Sequence, residues 1–373
     1  MTSNRSDGSL ETLIEPAARQ IADADFLLIA TGAGFSADSG LPTYTDVARN
    51  PIYASLGIEY GDLCRIQCLK ENPRLFYGFW GTCFNLYQRQ VQPHPGYSIL
   101  SRWCREKQSN LNKKFRTTND GDDNKNKLSA YYLYTSNVDG HFRLAGFPEE
   151  NLHEVHGAID RWLVVLQAKD QTQDGKTTQL TTSKVEWISV PDSYSFPVDP
   201  STLEGPPPKS ILSDLIDNED ELSLQLRQSS FLRPGVLMFD DGFDSHEQMH
   251  LDTSCDKYQA WERNMELAME VSKNLKLVVL EIGCGTRVPS VRIECQDVIS
   301  DTQRRINSKL GEKEDKGTVP RCSFIRINPD HENIQVGIDV PENVIAISIR
   351  GTALDTLQRI DQHYTRDAND TKS

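Results

Sequence analysis

A short apolar run, Phe26-Leu-Leu-Ile-Ala30, ends abruptly in Thr31-Gly-Ala-Gly-Phe-Ser-Ala-Asp-Ser-Gly-Leu-Pro42. The run is apolar on both faces, the pattern of a strand buried inside a parallel sheet. Gly32 and Gly34 permit tight backbone geometry and let a ligand approach the main chain. Small residues follow, among them Ala33, Ser36, Ala37, Ser39 and Gly40, and they open a helix whose free N–H groups point at the ligand. Such a turn cradles a pyrophosphate. It also serves as a plain tight connection. A hydride-transfer Rossmann domain carries a second strand ending in Asp or Glu about 20 residues beyond the turn. Residues 50–65 supply no such strand, and 44–51, after Pro42, read as a loop. The turn is phosphate-binding in character but departs from the dehydrogenase pattern.

The chain has 373 residues, 37% of them hydrophobic, enough for one large domain or two. It has no uninterrupted apolar run of the roughly 18 residues that a membrane-crossing helix needs. Met1 to Gly8 is polar and lacks the pattern of a signal peptide, so the expected setting is intracellular, cytoplasm or nucleus. The formal charge of −14 argues against non-specific nucleic-acid or anionic-membrane binding. Eight cysteines, Cys64, Cys68, Cys83, Cys104, Cys255, Cys284, Cys295 and Cys322, are scattered without a Cys-x-x-Cys pair, as in a reduced protein. Cys64 and Cys68 are expected on one helix face, as buried thiols rather than half a metal site.

Taken in order, residues 11–24 read as a helix, 26–30 as the strand, and 60–104 as helical around an aromatic core stripe interrupted at Pro93-His-Pro95. Residues 105–128 read as a solvated loop. A second buried strand, 130–134, runs into Thr135-Ser-Asn-Val-Asp-Gly-His-Phe, with polar residues again at a strand's carboxyl end. Leu152-His-Glu-Val-His-Gly157 follows, then a strand at 162–166. Residues 167–230 read as a polar, Pro-rich insertion with a helix near 212–226. Residues 231–239 read as a strand, 256–273 as a helix, and 275–282 as a strand ending in Gly283-Cys-Gly-Thr-Arg-Val-Pro289. A charged loop at 303–319, strands at 323–328 and 344–348, and a helix at 352–363 complete the reading. Alternating strands and helices predict an α/β, doubly wound parallel sheet with a smaller inserted module.

The ordered motifs Gly-Ala-Gly-x-Ser-x-x-Ser-Gly-Leu-Pro, Ser-Asn-Val-Asp, Glu-Val-His-Gly, Arg-Pro-x-Val-x-x-Phe, Ile-Gly-x-Gly-Thr and Ile-Asn resemble the sirtuin family of NAD-dependent protein deacylases over about residues 20–365. Thr-Ser-Asn-Val-Asp-Gly-His-Phe142 and the stretch 281–292 are similar to a bacterial-like branch of that family. The resemblance implies a Rossmann-like NAD domain over 20–365, with a smaller module from about 46–90 and 165–230. Residues 1–19 form a tail and the start of the first helix, and 366–373 a polar tail.

It further implies that NAD lies along Gly32, Ala33, Gly34, Ser36, Ser39, Gly40 and Tyr44, with Gly283, Cys284 and Gly285 approaching from the other half of the sheet. Asn328 would bond the adenosine ribose, and Ser136, Asn137 and Asp139 would hold the nicotinamide half. His156 matches the family's base, a task suited to an imidazole with a pKa of about 6.5; without the other motifs, it reads rather as a satisfied strand-end histidine. His94, His141 and His153 read as structural or surface groups. The expected partner is an acyl-lysine protein or peptide.

The sequence departs from the family pattern at several points. Thr43-Tyr-Thr45 stands where the family has Asp-Phe-Arg, Ser136 where Gln is usual, and Asp240 and Asp241 where a Gly and an acid follow the Phe. That Gly lies beside the family's peptide channel. No cysteine falls between 160 and 230, where the family places four zinc ligands, so no metal is expected. Two readings compete. One is an active NAD-consuming deacylase or ADP-ribosyl transferase. The other is an NAD-binding scaffold without turnover.

Overall fold

The computed structural model describes residues 7–42, 51–116, 128–169, 180–191, 193–206, 211, 231–241, 249–309 and 320–370. Tyr44, with Thr43 and Thr45, lies outside the described residues, as does the helix expected near 212–226.

Six strands form a parallel sheet: β1 (Phe26–Thr31), β2 (Tyr131–Thr135), β3 (Leu152–Glu154), β7 (Leu277–Ile282), β8 (Cys322–Ile327) and β9 (Ile345–Ile349), in the order β3-β2-β1-β7-β8-β9. Side chains alternate across a strand, and both faces of β1 are buried. Leu27 and Ile29 pack with helices Asp7–Asp23, Pro95–Arg116 and Ala353–Asp370. Phe26, Leu28 and Ala30 pack on the opposite face with helices Met249–Val271 and Ser290–Lys309. The sheet is therefore doubly wound. The chain leaves β1 toward β2 on one side and returns to β7 on the other, which makes the gap between β1 and β2 or β7 a topological switch point. In such sheets ligands bind outside the carboxyl ends of the strands.

A second, antiparallel sheet has the order β5-β4-β6, from β4 (Gly157–Lys169), β5 (Leu180–Ser189) and β6 (Phe231–Val236). It shares a core with the aromatic helix Pro73–Asn85, through Trp162, Leu232 and Phe196 against Phe76, Phe79, Trp80 and Phe84. Residues 157–164 and 231–236 thus join the small module rather than the parallel sheet. Pro234 sits within β6, where a missing N–H is tolerated because β6 is an edge strand.

Two expected loops are partly helix. Residues 105–116 continue the Pro95–Arg116 helix, and 303–309 end the Ser290–Lys309 helix. Most of their polar residues form solvated faces, while Leu111 and Ile306 face the core and Lys107 and Gln303 are buried. Cys64 follows the Tyr60–Leu63 helix and Cys68 lies within Ile66–Glu71, so the two do not share a helix face.

Candidate functional site

At the end of β1, the chain turns into the short helix Ala33–Ala37. This turn is built against the turn after β7. Gly34 donates its N–H to Gly283 O at 3.0 Å, and Gly32 to Ile282 O at 3.1 Å. A Cβ on Gly32 would stand 2.8 Å from Cys284 Cα, and one on Gly34 would stand 2.8 Å from Gly283 Cα. Gly283 has φ +65°, and its Cβ would meet Phe35 N at 2.3 Å. The two turns touch backbone to backbone, which requires glycine at these points. By contrast, a Cβ on Gly285 would meet nothing, so that residue borders open space.

The turn after β2 is tied to the first. Thr31 and Thr135 hydroxyls bond at 2.7 Å between the strand ends, and Ser136 N–H donates to Thr31 O at 3.1 Å. Asn137 Nδ2 donates to Gly32 O at 3.0 Å and to Ser36 Oγ at 2.9 Å. The Ser36 hydroxyl donates to Asp139 Oδ2 at 2.5 Å, and His141 N–H donates to Oδ1 at 2.9 Å. With its proton given to Asp139, Ser36 Oγ also accepts from the Tyr97 hydroxyl at 3.3 Å. Ser36, Asn137 and Asp139 are each 5% exposed or less. Their polar groups find partners in one another, as burial demands. A small cleft opens on this knot, lined by Ala33, Ser36, Leu41, Pro42, Tyr87, Asn137, Val138 and Asp139.

His156 is half-buried at the turn between β3 and β4. Burial lowers its pKa below the ordinary histidine value, partly offset by a hydrogen bond to the Ser136 main chain. The ring is neutral at pH 7. A ring N–H given to Ser136 leaves the other nitrogen as a lone-pair base. Gly157, with φ +77°, follows it, and a Cβ there would lie 2.0 Å from Gly235 O. His156 does not line the cleft on the Ser36–Asn137–Asp139 knot.

Across the sheet, Asn328 is buried after β8. Its Nδ2 donates to Cys284 O at 2.8 Å, and its Oδ1 accepts from the N–H groups of Asp330 and His331 at 3.0 Å each. The side chain therefore shapes its own loop. Cys284 O also accepts from Arg292 Nε and Nη2, at 3.1 and 3.0 Å. Burial pushes the Cys284 thiol well above its ordinary pKa, so it is an inert packing group. Ser39 Oγ accepts from His94 N–H at 3.0 Å, and Gly40 closes the turn with φ +87°.

His94, His141 and His153 are buried. His94 Nδ1 accepts from Gly96 N–H at 3.0 Å, so its Nε2 donates to Phe35 O at 2.9 Å. His141 Nε2 pairs with Tyr87 O at 3.0 Å. His153 Nδ1 lies 2.7 Å from Ser254 Oγ, and its pKa is pushed down to about 4 by burial and by His156. All three are structural rather than surface groups. The sequence reading missed the supporting residues Gln88, which donates to Asp139 O, and Tyr97. Proline at the first position of the Pro95–Arg116 helix was the available signal that this segment starts against the glycine turn.

Elsewhere, a cavity of about 360 Å³ lies between the helices Met249–Val271 and Ser290–Lys309. Acidic residues crowd it, and burial pushes Glu262 up to about 7. Among the described residues, no group of three or more His, Cys, Asp or Glu side chains is arranged to hold a metal ion. No described helix is long and apolar enough to cross a membrane.

A parallel sheet with paired glycine turns and a polar knot at its switch point offers the crevice in which open α/β sheets bind ligands. The curated relatives that the chain matches are NAD-dependent protein deacylases and deacetylases. One is the human mitochondrial NAD-dependent protein lipoamidase sirtuin-4, 30% identical over 154 residues, which is 40% of this chain and 39% of that protein. Another is an NAD-dependent protein deacetylase of Shouchella clausii, 26% identical over 142 residues, 37% of this chain and 46% of that protein. The chain spans less than half the length of either relative. A solved Sir2 homologue–NAD complex aligns over 95% of this chain and 94% of that one, with a TM-score of 0.48 and 16% identity. A scan against protein families finds no match.

Proposed function

We propose that this chain is an NAD-dependent protein lysine deacylase, which moves the acyl group from a lysine side chain to ADP-ribose with release of nicotinamide. The observation that carries the reading is the Ser36–Asn137–Asp139 knot at the sheet's switch point, with a neutral His156 at the next strand end. When bound, NAD supplies the ribosyl carbon that receives the acyl oxygen as nicotinamide departs.

The chain's own groups fit that cofactor. Gly32, Ala33, Gly34, Ser36, Ser39 and Gly40 would face the pyrophosphate and its ribose, with Tyr44 from the following segment. Gly283, Cys284, Gly285 and Asn328 would frame the adenosine half. Asn137 commits its Nδ2 to Gly32 and Ser36, so Oδ1 is what it offers the cleft. Asp139 keeps lone pairs beyond those used by Ser36 and His141, and these suit a carboxamide N–H. Ser136 holds His156 through its main chain. His156 takes a proton from a ribose hydroxyl, a task that needs an uncharged imidazole. The acyl-lysine of a protein or peptide is the second substrate. Eight free cysteines support an intracellular setting.

The test is nicotinamide release from NAD, with and without acetyl- and lipoyl-lysine peptides. Peptide-dependent release is expected. Release without peptide, with ADP-ribose attached to protein, would favour transferase chemistry. NAD binding without release would make the chain a scaffold.

A further inference from the structure

We propose that Asp240 is a positioning residue for the acyl-lysine peptide, locking the loop beside His156 to the helices of the small module. The proposal rests on the deacylase reading above and explains the acid that stands where the family has glycine.

The loop 237–241 leaves β6 next to the turn that carries His156. Leu237 N–H donates to His156 O at 2.9 Å. Met238 N–H donates to the Asp241 carboxylate at 2.7 Å, and Arg233 clamps that carboxylate with both guanidinium nitrogens at 2.7 Å. These bonds hold the loop to its own sheet. Its outer side is held differently. Phe239 N–H donates to Cys64 O at 3.0 Å. The Asp240 carboxylate accepts from Ile66 N–H at 2.6 Å and from Gln67 N–H at 3.0 Å. Those are the first N–H groups of the Ile66–Glu71 helix, which have no partner within the helix itself. A carboxylate placed there satisfies both and complements the positive end of the helix.

Glycine at 240 would offer no acceptor, and the small module would meet the loop through main chain alone. With Asp240, the loop is joined to the helices before a peptide arrives. The exposed Phe239 ring, edge-on to Tyr60 at 6.1 Å, is held in one place between them. Preorganisation of this kind raises affinity by removing the ordering cost at binding. The cofactor turns after β1, β2 and β7 make none of these bonds. The clamp therefore acts on the peptide and leaves NAD alone.

The experiment compares the full chain with Asp240→Ala and Asp240→Asn. In steady-state nicotinamide release, Asp240→Ala is expected to raise the peptide KM about tenfold, because the loop must then be ordered when the peptide binds. The NAD KM should move less than about twofold. Asp240→Asn keeps one acceptor oxygen, so it should fall between the two, and it carries the test if the alanine chain does not fold. Amide hydrogen exchange at Ile66 and Gln67 should speed about tenfold in Asp240→Ala. Equal changes in both KM values, an unchanged peptide KM, or unchanged exchange would overturn the clamp. If the wild type binds acyl-lysine peptide without turnover, the deacylase reading fails and the peptide Kd becomes the readout, with the same tenfold expected. A wild type that binds no acyl-lysine peptide overturns the clamp itself.

Discussion

The Ser36 hydroxyl meets the carboxylate of Asp139 at 2.5 Å across 103 residues of chain. This bond joins the turn after β1 to the turn after β2, and each member is buried. Neither side chain is free to rotate without breaking this bond.

Ser36→Ala is therefore expected to cost about 1–3 kcal/mol of stability, because a buried carboxylate oxygen loses its donor and Asn137 loses an acceptor. NAD affinity should fall with it. Denaturant midpoints and NAD titration read both effects, and an unchanged pair of values would show that the knot is dispensable.

His156→Ala should reduce peptide-dependent nicotinamide release by about 10²–10⁴, the usual worth of a general base. NAD binding should change far less, because the phosphate-facing turns are untouched. Since burial lowers the imidazole pKa from 6.5, the base is already unprotonated at neutral pH. The acid limb of kcat/KM should lie below 6.5. A limb centred above that value would contradict the assignment.

His153 predicts a pH-dependent stability difference. Its folded pKa is depressed to about 4, so folding is favoured above the unfolded value of 6.5. As pH falls below 6.5, the unfolded chain takes the proton first and the folded state loses ground until about 4. His153→Gln removes that titration. The melting temperature of the wild type minus that of the variant should drop between pH 7.5 and 4.5, and a flat difference would rule this out. Taking a difference matters because Glu154, with its pKa raised to about 7, contributes stability of the opposite slope.

Purified protein should contain no stoichiometric zinc, and a chelator should leave its melting temperature unchanged. The sequence from 160 to 230 has no cysteine to ligate a structural ion. About one zinc per chain by metal analysis would refute this expectation.

The sheet was legible because buried parallel strands are apolar on both faces, and each of β1, β2, β7 and β8 ends in a recognisable polar or glycine turn. The ends of two long helices were not. In Ser290–Lys309, the buried positions Val291, Cys295, Val298, Ile299, Thr302 and Ile306 keep helical spacing, but charged residues between them masked the stripe. The pairing of β6 with β4 was also hidden, because Phe231 meets Val165 across a long stretch of chain and no local pattern encodes that contact. Among the site residues, Ser36, Asn137 and Asp139 were named from motifs, whereas Gln88 and His94 support them through main-chain carbonyls that leave no mark in the sequence.

At Gly32, Gly34 and Gly283, the two halves of the sheet meet backbone to backbone, with no room for a Cβ. A single methyl group at any of the three would pry the turns apart. In a saturation library sorted for folded protein, these positions should be as intolerant as the core tryptophans, though no reaction passes through them. The seam is built without side chains, and a compensating substitution elsewhere cannot repair it, because no side-chain atom is left there to remove.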